Sequence, residues 1–189
     1  MYENMIQIYQ KITQFKVLRL FLDNPYTGYY LRESVRILKM DPMTVKRSLD
    51  LLVKDMLLIK SEEKNRILYQ LNLENVSARY LKISYNLSWL HEKKVVDFIL
   101  DKMKTVTSII LFGSFAKGEN DEDSDVDIVT ISLSDRKPTE GFAKMLGRDV
   151  NLLDFTPAEW SEQGEKNKGL YQDVLFDGIV LHGSKPVIA

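Results

Sequence analysis

Apolar residues recur at helical spacing through Ile6, Ile8, Ile12, Val17, Leu18 and Phe21-Leu22, and the run stops at the turn-forming string Asp23-Asn24-Pro25-Tyr26-Thr27-Gly28. A second helix is expected over 31–40. Asp41-Pro42 then supplies a helix start, with aspartate as N-cap and proline in the first position. The third helix is expected to bury Val45, Leu49, Leu52 and Met56 and to carry Lys46, Arg47, Asp50 and Lys54 on its other face. After it, Leu57-Leu58-Ile59-Lys60 and Arg66-Ile67-Leu68-Tyr69-Gln70-Leu71-Asn72 read as two strands joined by a polar hairpin loop over 61–65.

Helical spacing returns over 75–104, through Tyr80, Leu81, Ile83, Leu87 and Leu90, then Val95, Phe98, Ile99 and Met103. One long helix or two shorter ones would fit, the later part packing on the strand that follows. The aromatic part (Tyr80, Tyr85, Trp89) is a candidate cover for a domain junction or a homodimer seam. Ser108-Ile109-Ile110-Leu111-Phe112 is a short apolar, β-branched run bounded by turn residues, as a buried strand would be. Asp125-Val126-Asp127-Ile128-Val129 and Asp149-Val150-Asn151-Leu152-Leu153-Asp154-Phe155 read as further strands. Pro157-Ala158-Glu159-Trp160 opens a helix, 171–176 another, and Gly178-Ile179-Val180-Leu181-His182-Gly183 a closing strand. There is no internal repeat or low-complexity segment.

The candidate chemistry sits between the first two strands of this second half. Gly113-Ser114-Phe115-Ala116-Lys117-Gly118 follows a strand end, so a short helix starting at Ser114 would aim backbone N–H groups and a hydroxyl at a phosphate. Gly113 leaves room for its approach, and Gly118 would end the helix. In a strand, Asp125 and Asp127 share a face, about 6.6 Å apart at roughly 3.3 Å per residue. Two such carboxylates repel unless a cation lies between them, and hard oxygen donors suit Mg²⁺ (or Mn²⁺) held together with substrate phosphates. The run Glu119-Asn120-Asp121-Glu122-Asp123 reads as a solvated loop. A calcium loop built on Asp121, Asp123 and Asp125 fails, because its sixth position is Val126 and its twelfth is Ser132.

With Ser124 directly before the first aspartate, Gly-Ser, a loop and Ser-Asp-x-Asp on the next strand resemble the nucleotidyltransferase fold of the DNA polymerase β superfamily, in its minimal nucleotidyltransferase form. The resemblance spans roughly residues 90 to 183. It implies a metal-dependent transfer of a nucleoside monophosphate from an NTP to a hydroxyl, with Asp125 and Asp127 as catalytic and metal residues and Gly113 and Ser114 as nucleotide-binding ones. It also implies small helical partners of the HEPN type, in toxin–antitoxin pairs, with a protein hydroxyl as acceptor. One departure matters. The family's third carboxylate falls at Asn151, which can ligate a metal but cannot take a proton. Asp154 lies an odd number of residues along and would face the other way. The alternative reading is therefore a DNA-bound regulator whose degenerate transferase domain binds nucleotide without turning it over.

Composition changes the picture little. The 189 residues are 44% hydrophobic and 28% charged, as in ordinary globular chains. There is no cysteine, which excludes disulfides, zinc–cysteine sites and thiol catalysis. The histidines, His91 and His182, show no metal spacing. No run is long enough to span a membrane and no signal peptide is evident, so no membrane partner and a cytoplasmic location are expected.

Charge does change it. Residues 1–72 hold 12 Lys and Arg against 8 Asp and Glu, net +4, while the remainder holds 14 against 19, net −5. A basic front half fits a polyanion. Three helices and a hairpin resemble a winged helix-turn-helix, which implies DNA contacts from Lys46 and Arg47 on the third helix and Lys64 and Arg66 on the wing. Asp50, Glu62 and Glu63 oppose that reading. The same charges would also suit a solubilised surface or a protein-interaction module. The expected architecture is thus α/β (α+β): a winged-helix domain at 1–75, a helical linker at 76–90 and, at 91–189, a small nucleotidyltransferase domain with a mixed β-sheet flanked by helices.

Overall fold

A computed structural model describes residues 11–63, 65–103, 105–133 and 141–187. The chain divides into two compact units, Met1–Trp89 and Leu90–Ala189. Among the described residues no helix is long and apolar enough to cross a membrane.

The first unit runs α1 (Thr13–Asp23), β1 (Tyr29–Tyr30), α2 (Leu31–Leu38), α3 (Pro42–Lys54), β2 (Leu58–Glu63), β3 (Arg66–Leu71) and α4 (Val76–Glu92), the last reaching past the unit's end. Val17, Leu18, Phe21 and Leu22 of α1 meet Val45, Leu49 and Leu52 of α3 in one buried cluster. Leu58, Tyr69 and Leu71 close it from the sheet, whose order is β1-β3-β2 with antiparallel pairings. The start of α3 follows from its cap, since the Asp41 carboxylate accepts the Thr44 N–H at 2.8 Å and Pro42 holds the first turn. The expected linker segment contributes Ala78 and Tyr85 to this core. Beside them the buried Lys82 donates to the Leu22 carbonyl at 2.5 Å, satisfying a carbonyl that the last turn of α1 leaves open.

Three details differ from the expectation. Met56 is 58% exposed rather than buried, because α3 stops at Lys54 and Met56 adopts φ 60° to turn the chain into β2. The hairpin loop is shorter than 61–65, since β2 continues through Glu63 and pairs it with Arg66. The two-residue strand β1 had no sequence signal. It pairs Tyr29 with Tyr69 beside Gly28, where a Cβ would lie 2.6 Å from Leu68.

The second unit contains α5 (Val95–Lys102), β4 (Val106–Phe112), α6 (Gly113–Lys117), β5 (Val126–Ser132), α7 (Phe142–Leu146), β6 (Val150–Phe155), α8 (Pro157–Lys166), α9 (Lys168–Gln172), a π-helical turn (Asp173–Asp177) and β7 (Ile179–Gly183). Strand order is β6-β5-β4-β7; β5 and β6 run parallel and the other pairs antiparallel, giving the mixed sheet flanked by helices that the family resemblance implied. Ile110, Phe112, Val129 and Ile131 bury one sheet face against Trp160 and Val174. A Thr156–Glu159 capping box starts α8, and the Trp160 indole donates to the Pro186 carbonyl at 2.7 Å. Stacking of Phe98 on Phe142, centroids 5.0 Å apart, joins α5 to α7.

Leu49 is fully buried in the first core. Leu49→Ala should therefore cost about 2–5 kcal/mol, read as a lower urea midpoint. A loss below about 1 kcal/mol would contradict that packing.

Candidate active site

Three strands align their ends at one place. Phe112, the last residue of β4, pairs with Asp127 near the start of β5, and Asp127 pairs in parallel register with Asn151 of β6. The chain leaves β4 through Gly113 at φ +67°, a conformation that side chains disfavour. A Cβ at Gly113 would stand 2.2 Å from Asp127 Oδ2, so the carboxylate rests against bare backbone. Ser114 is half-buried on the first turn of α6, which Gly118 ends at φ +72°.

Asp125 lies one residue before β5 and is exposed, whereas Asp127 is half-buried. Burial pushes the Asp127 carboxyl up from its ordinary value; the hydrogen bond from Asn151 pulls it down and the charge of Asp125 raises it. Asn151 Nδ2 donates to Asp127 Oδ1 at 3.1 Å. Asp154 is engaged elsewhere, accepting from Thr130 Oγ1 at 2.8 Å and from Ser132 Oγ at 3.0 Å. Among the described residues no group of three or more His, Cys, Asp or Glu is placed to hold a metal. The two mutually repelling carboxylates fit a divalent cation that takes its remaining oxygens from substrate phosphate and water.

Contacts that the sequence pattern did not indicate brace this site. Lys117 of α6 donates to Asp173 at 3.0 Å and pairs with Asp177 at 3.3 Å, both on the π-helical turn. The hydrogen bond to Asp173 is the main reason its ammonium is held above its usual pKa. Arg148 and the Asp121–Ser124 pair organise the loop before Asp125. Ser124 Oγ donates to Asp121 Oδ1 at 2.7 Å, and the Asp123 N–H reaches the same oxygen at 3.1 Å. A run of like charges gives no hint of such internal bonding.

The residues singled out for DNA lie in the other unit. Lys46 and Arg47 are exposed on α3, and Arg66 is exposed at the start of β3; Lys64 lies outside the described residues. Lys46 is paired with Asp50 at 2.8 Å. Lys46 and Arg66 line one cavity of about 490 Å³ with Tyr30, Arg32 and Tyr69.

The Ser124 hydroxyl is the first cause of a lowered Asp121 pKa. A carboxyl lowered on folding stabilises the fold above its unfolded pKa, and that contribution disappears as pH falls through the folded value. Ser124→Ala should move the Asp121 titration midpoint upward, as read by NMR. An unmoved midpoint would exclude the hydroxyl as the cause.

Comparisons with known proteins bear on the second half of the chain. A family model described as Nucleotidyltransferase domain matches residues 92–181, just under half of the chain. No curated protein matches. A toxin–antitoxin crystal structure with AMP-PNP is 25% identical, covers 51% of this chain and 76% of its own, and gives a TM-score of 0.41. The MntA-HpeT toxin–antitoxin with two aspartate-to-glutamate substitutions is 23% identical, with coverages of 50% and 74% and a TM-score of 0.40. A Sulfolobus solfataricus protein assigned as a nucleotidyltransferase is 21% identical, with coverages of 52% and 80% and a TM-score of 0.28. Residues 92–181 of this chain are therefore a nucleotidyltransferase domain.

Proposed function

We propose that the second unit transfers a nucleoside monophosphate from an NTP to a hydroxyl, using Mg²⁺ or Mn²⁺. The observation that carries this reading is the Asp127 carboxylate lodged against the open backbone of Gly113, within reach of the charge on Asp125. Asp125 and Asp127 would hold the cation. Gly113 admits the phosphate, and the Ser114 hydroxyl, which makes no hydrogen bond to another described residue, is available to donate to it. The bound metal would offset charge on the triphosphate and the departing pyrophosphate. The acceptor oxygen bonds to the α-phosphorus as the bridge to the β-phosphate breaks, and the hydroxyl proton goes to solvent. Asn151 cannot accept it, so the chain forgoes a general-base contribution of about 10²–10⁴-fold.

A second reading, a regulator that binds nucleotide without efficient turnover, is favoured by the Asn151–Asp127 hydrogen bond. The two separate in an assay with labelled ATP, CTP, GTP and UTP, Mg²⁺ and protein acceptors that include a helical HEPN-type protein. The transferase reading expects label transfer with pyrophosphate release by the parent, loss of both in Asp127→Asn, and a rise of at least tenfold in Asn151→Asp. Nucleotide binding without transfer by either parent or Asn151→Asp would leave the regulator.

For the first unit we infer a winged helix-turn-helix that binds DNA through Lys46, Arg47, Lys64 and Arg66, supported by the order of its helices and hairpin and by its positive charge. The Lys46–Asp50 pair weighs against it. Parent binding should fall with salt, and a double Lys46→Ala, Arg47→Ala variant should bind more weakly with a slope shallower by about 2. Equal affinity and slope would remove this role.

A further inference from the structure

The loop 119–125 is acidic and exposed in large part, yet the aspartate that ends it must stand beside Asp127 for a cation to be shared. One side chain from outside the loop gathers it. Arg148 Nη1 donates to the carbonyls of Asp121 at 2.8 Å, Glu122 at 2.5 Å and Ser124 at 3.3 Å. Three carbonyl oxygens turned to one point repel each other, and a guanidinium is the counter-charge that permits the arrangement. The same guanidinium lies 5.6 Å from the centre of the buried Phe115 ring, on α6. Arg148 comes to this place because Gly147, at φ +69°, ends α7 and turns the chain toward β6. The Val126 N–H to Asp149 carbonyl bond, at 2.9 Å, fastens the two segments just beyond it.

We infer that Arg148 is a positioning residue for the cation site, one guanidinium that ties the loop bearing Asp125 to the helix bearing Ser114. This rests on the transferase reading of Asp125 and Asp127 and adds a residue to it. Asp125 directly follows the clamped Ser124 carbonyl, so its backbone direction is set by the clamp. With the guanidinium removed, the gathered carbonyls turn to water and Asp125 loses its fixed distance from Asp127. Arg148 touches neither phosphate nor acceptor in this scheme. It acts through the loop, as supporting groups around metal ligands do.

The test is Mn²⁺ binding by the full chain, followed by electron paramagnetic resonance, together with amide exchange across residues 121–126. Arg148→Ala should weaken Mn²⁺ binding about 10-fold or more and speed exchange at Asp123 and Val126, with strand β4 unchanged. Arg148→Lys, which keeps a cation with several donors, should recover part of the affinity and carries the test if the alanine variant does not fold. Equal Mn²⁺ affinity in parent and Arg148→Ala overturns the inference. So does a loss accompanied by faster exchange throughout β4 and β5, which would mark a general structural role. A parent that binds no Mn²⁺ either alone or with an NTP present overturns the reading of the site itself, and the amide exchange alone then decides whether the clamp exists.

Discussion

The contact between the Asp127 carboxylate and the bare backbone of Gly113 is the constraint on which the second unit depends. It requires β4 to end where β5 begins, and the register supplies this by pairing Phe112 with Asp127. It requires a residue without a Cβ at a left-handed turn, which only glycine adopts at no steric cost. A half-buried acid must then tolerate both desolvation and the neighbouring Asp125, and both effects push its proton affinity up. An isolated carboxyl in such a place relieves itself by protonation. One that receives a hydrogen bond on one side and faces incoming positive charge on the other can stay ionised.

How much of this was legible depended on the range of each interaction. Strands β4, β5 and β6 could be read because a few consecutive apolar residues bounded by turn formers carry their own signal. The shared face expected for Asp125 and Asp127 rested on a local period of two, and the strand begins only at Val126, so Asp125 lies one residue before it. The start of α3 was local as well, since Asp41 and Pro42 are adjacent to the turn they set. Arg148 and Lys117 brace the site across 24 and 56 positions of sequence, to Ser124 and to Asp173, and no periodicity encodes such pairs. Strand β1 is two residues long and exists because Gly28 lets Leu68 approach. Met56 continued the apolar spacing of α3 perfectly well; what the spacing could not convey is that the helix ends two residues earlier. The loop 119–125 was legible as charge but not as structure, because Asp121 is folded back onto Ser124 and Asp123.

The same residue types therefore divide by what they face. Asp121 is acidic and lowered, because donors surround it; Asp127 is acidic and raised, because burial and a like charge do. Lys82 is buried, yet it meets a helix-end carbonyl and completes a backbone hydrogen bond. Lys117 is held by two carboxylates at the far end of the Gly-Ser helix, so its charge fastens α6 to the π-helical turn.

Asn151 brings these effects together. In parallel register with Asp127, a third carboxylate there would add another negative charge to a group already disfavoured in its ionised form. The amide instead donates a hydrogen bond, lowering the energy of the Asp127 anion before any cation arrives. Such a site depends less on metal for its integrity than one with three carboxylates. Under the proposed transfer it would also hold a cation with one fewer negative ligand and would have no acceptor for the proton of an attacking hydroxyl. A single neutral side chain thus steadies the Asp127 anion, and on the proposed transferase reading it would also weaken the chemistry, which would make this position, more than the Gly113 turn, the one that sets the balance between holding a nucleotide and transferring it.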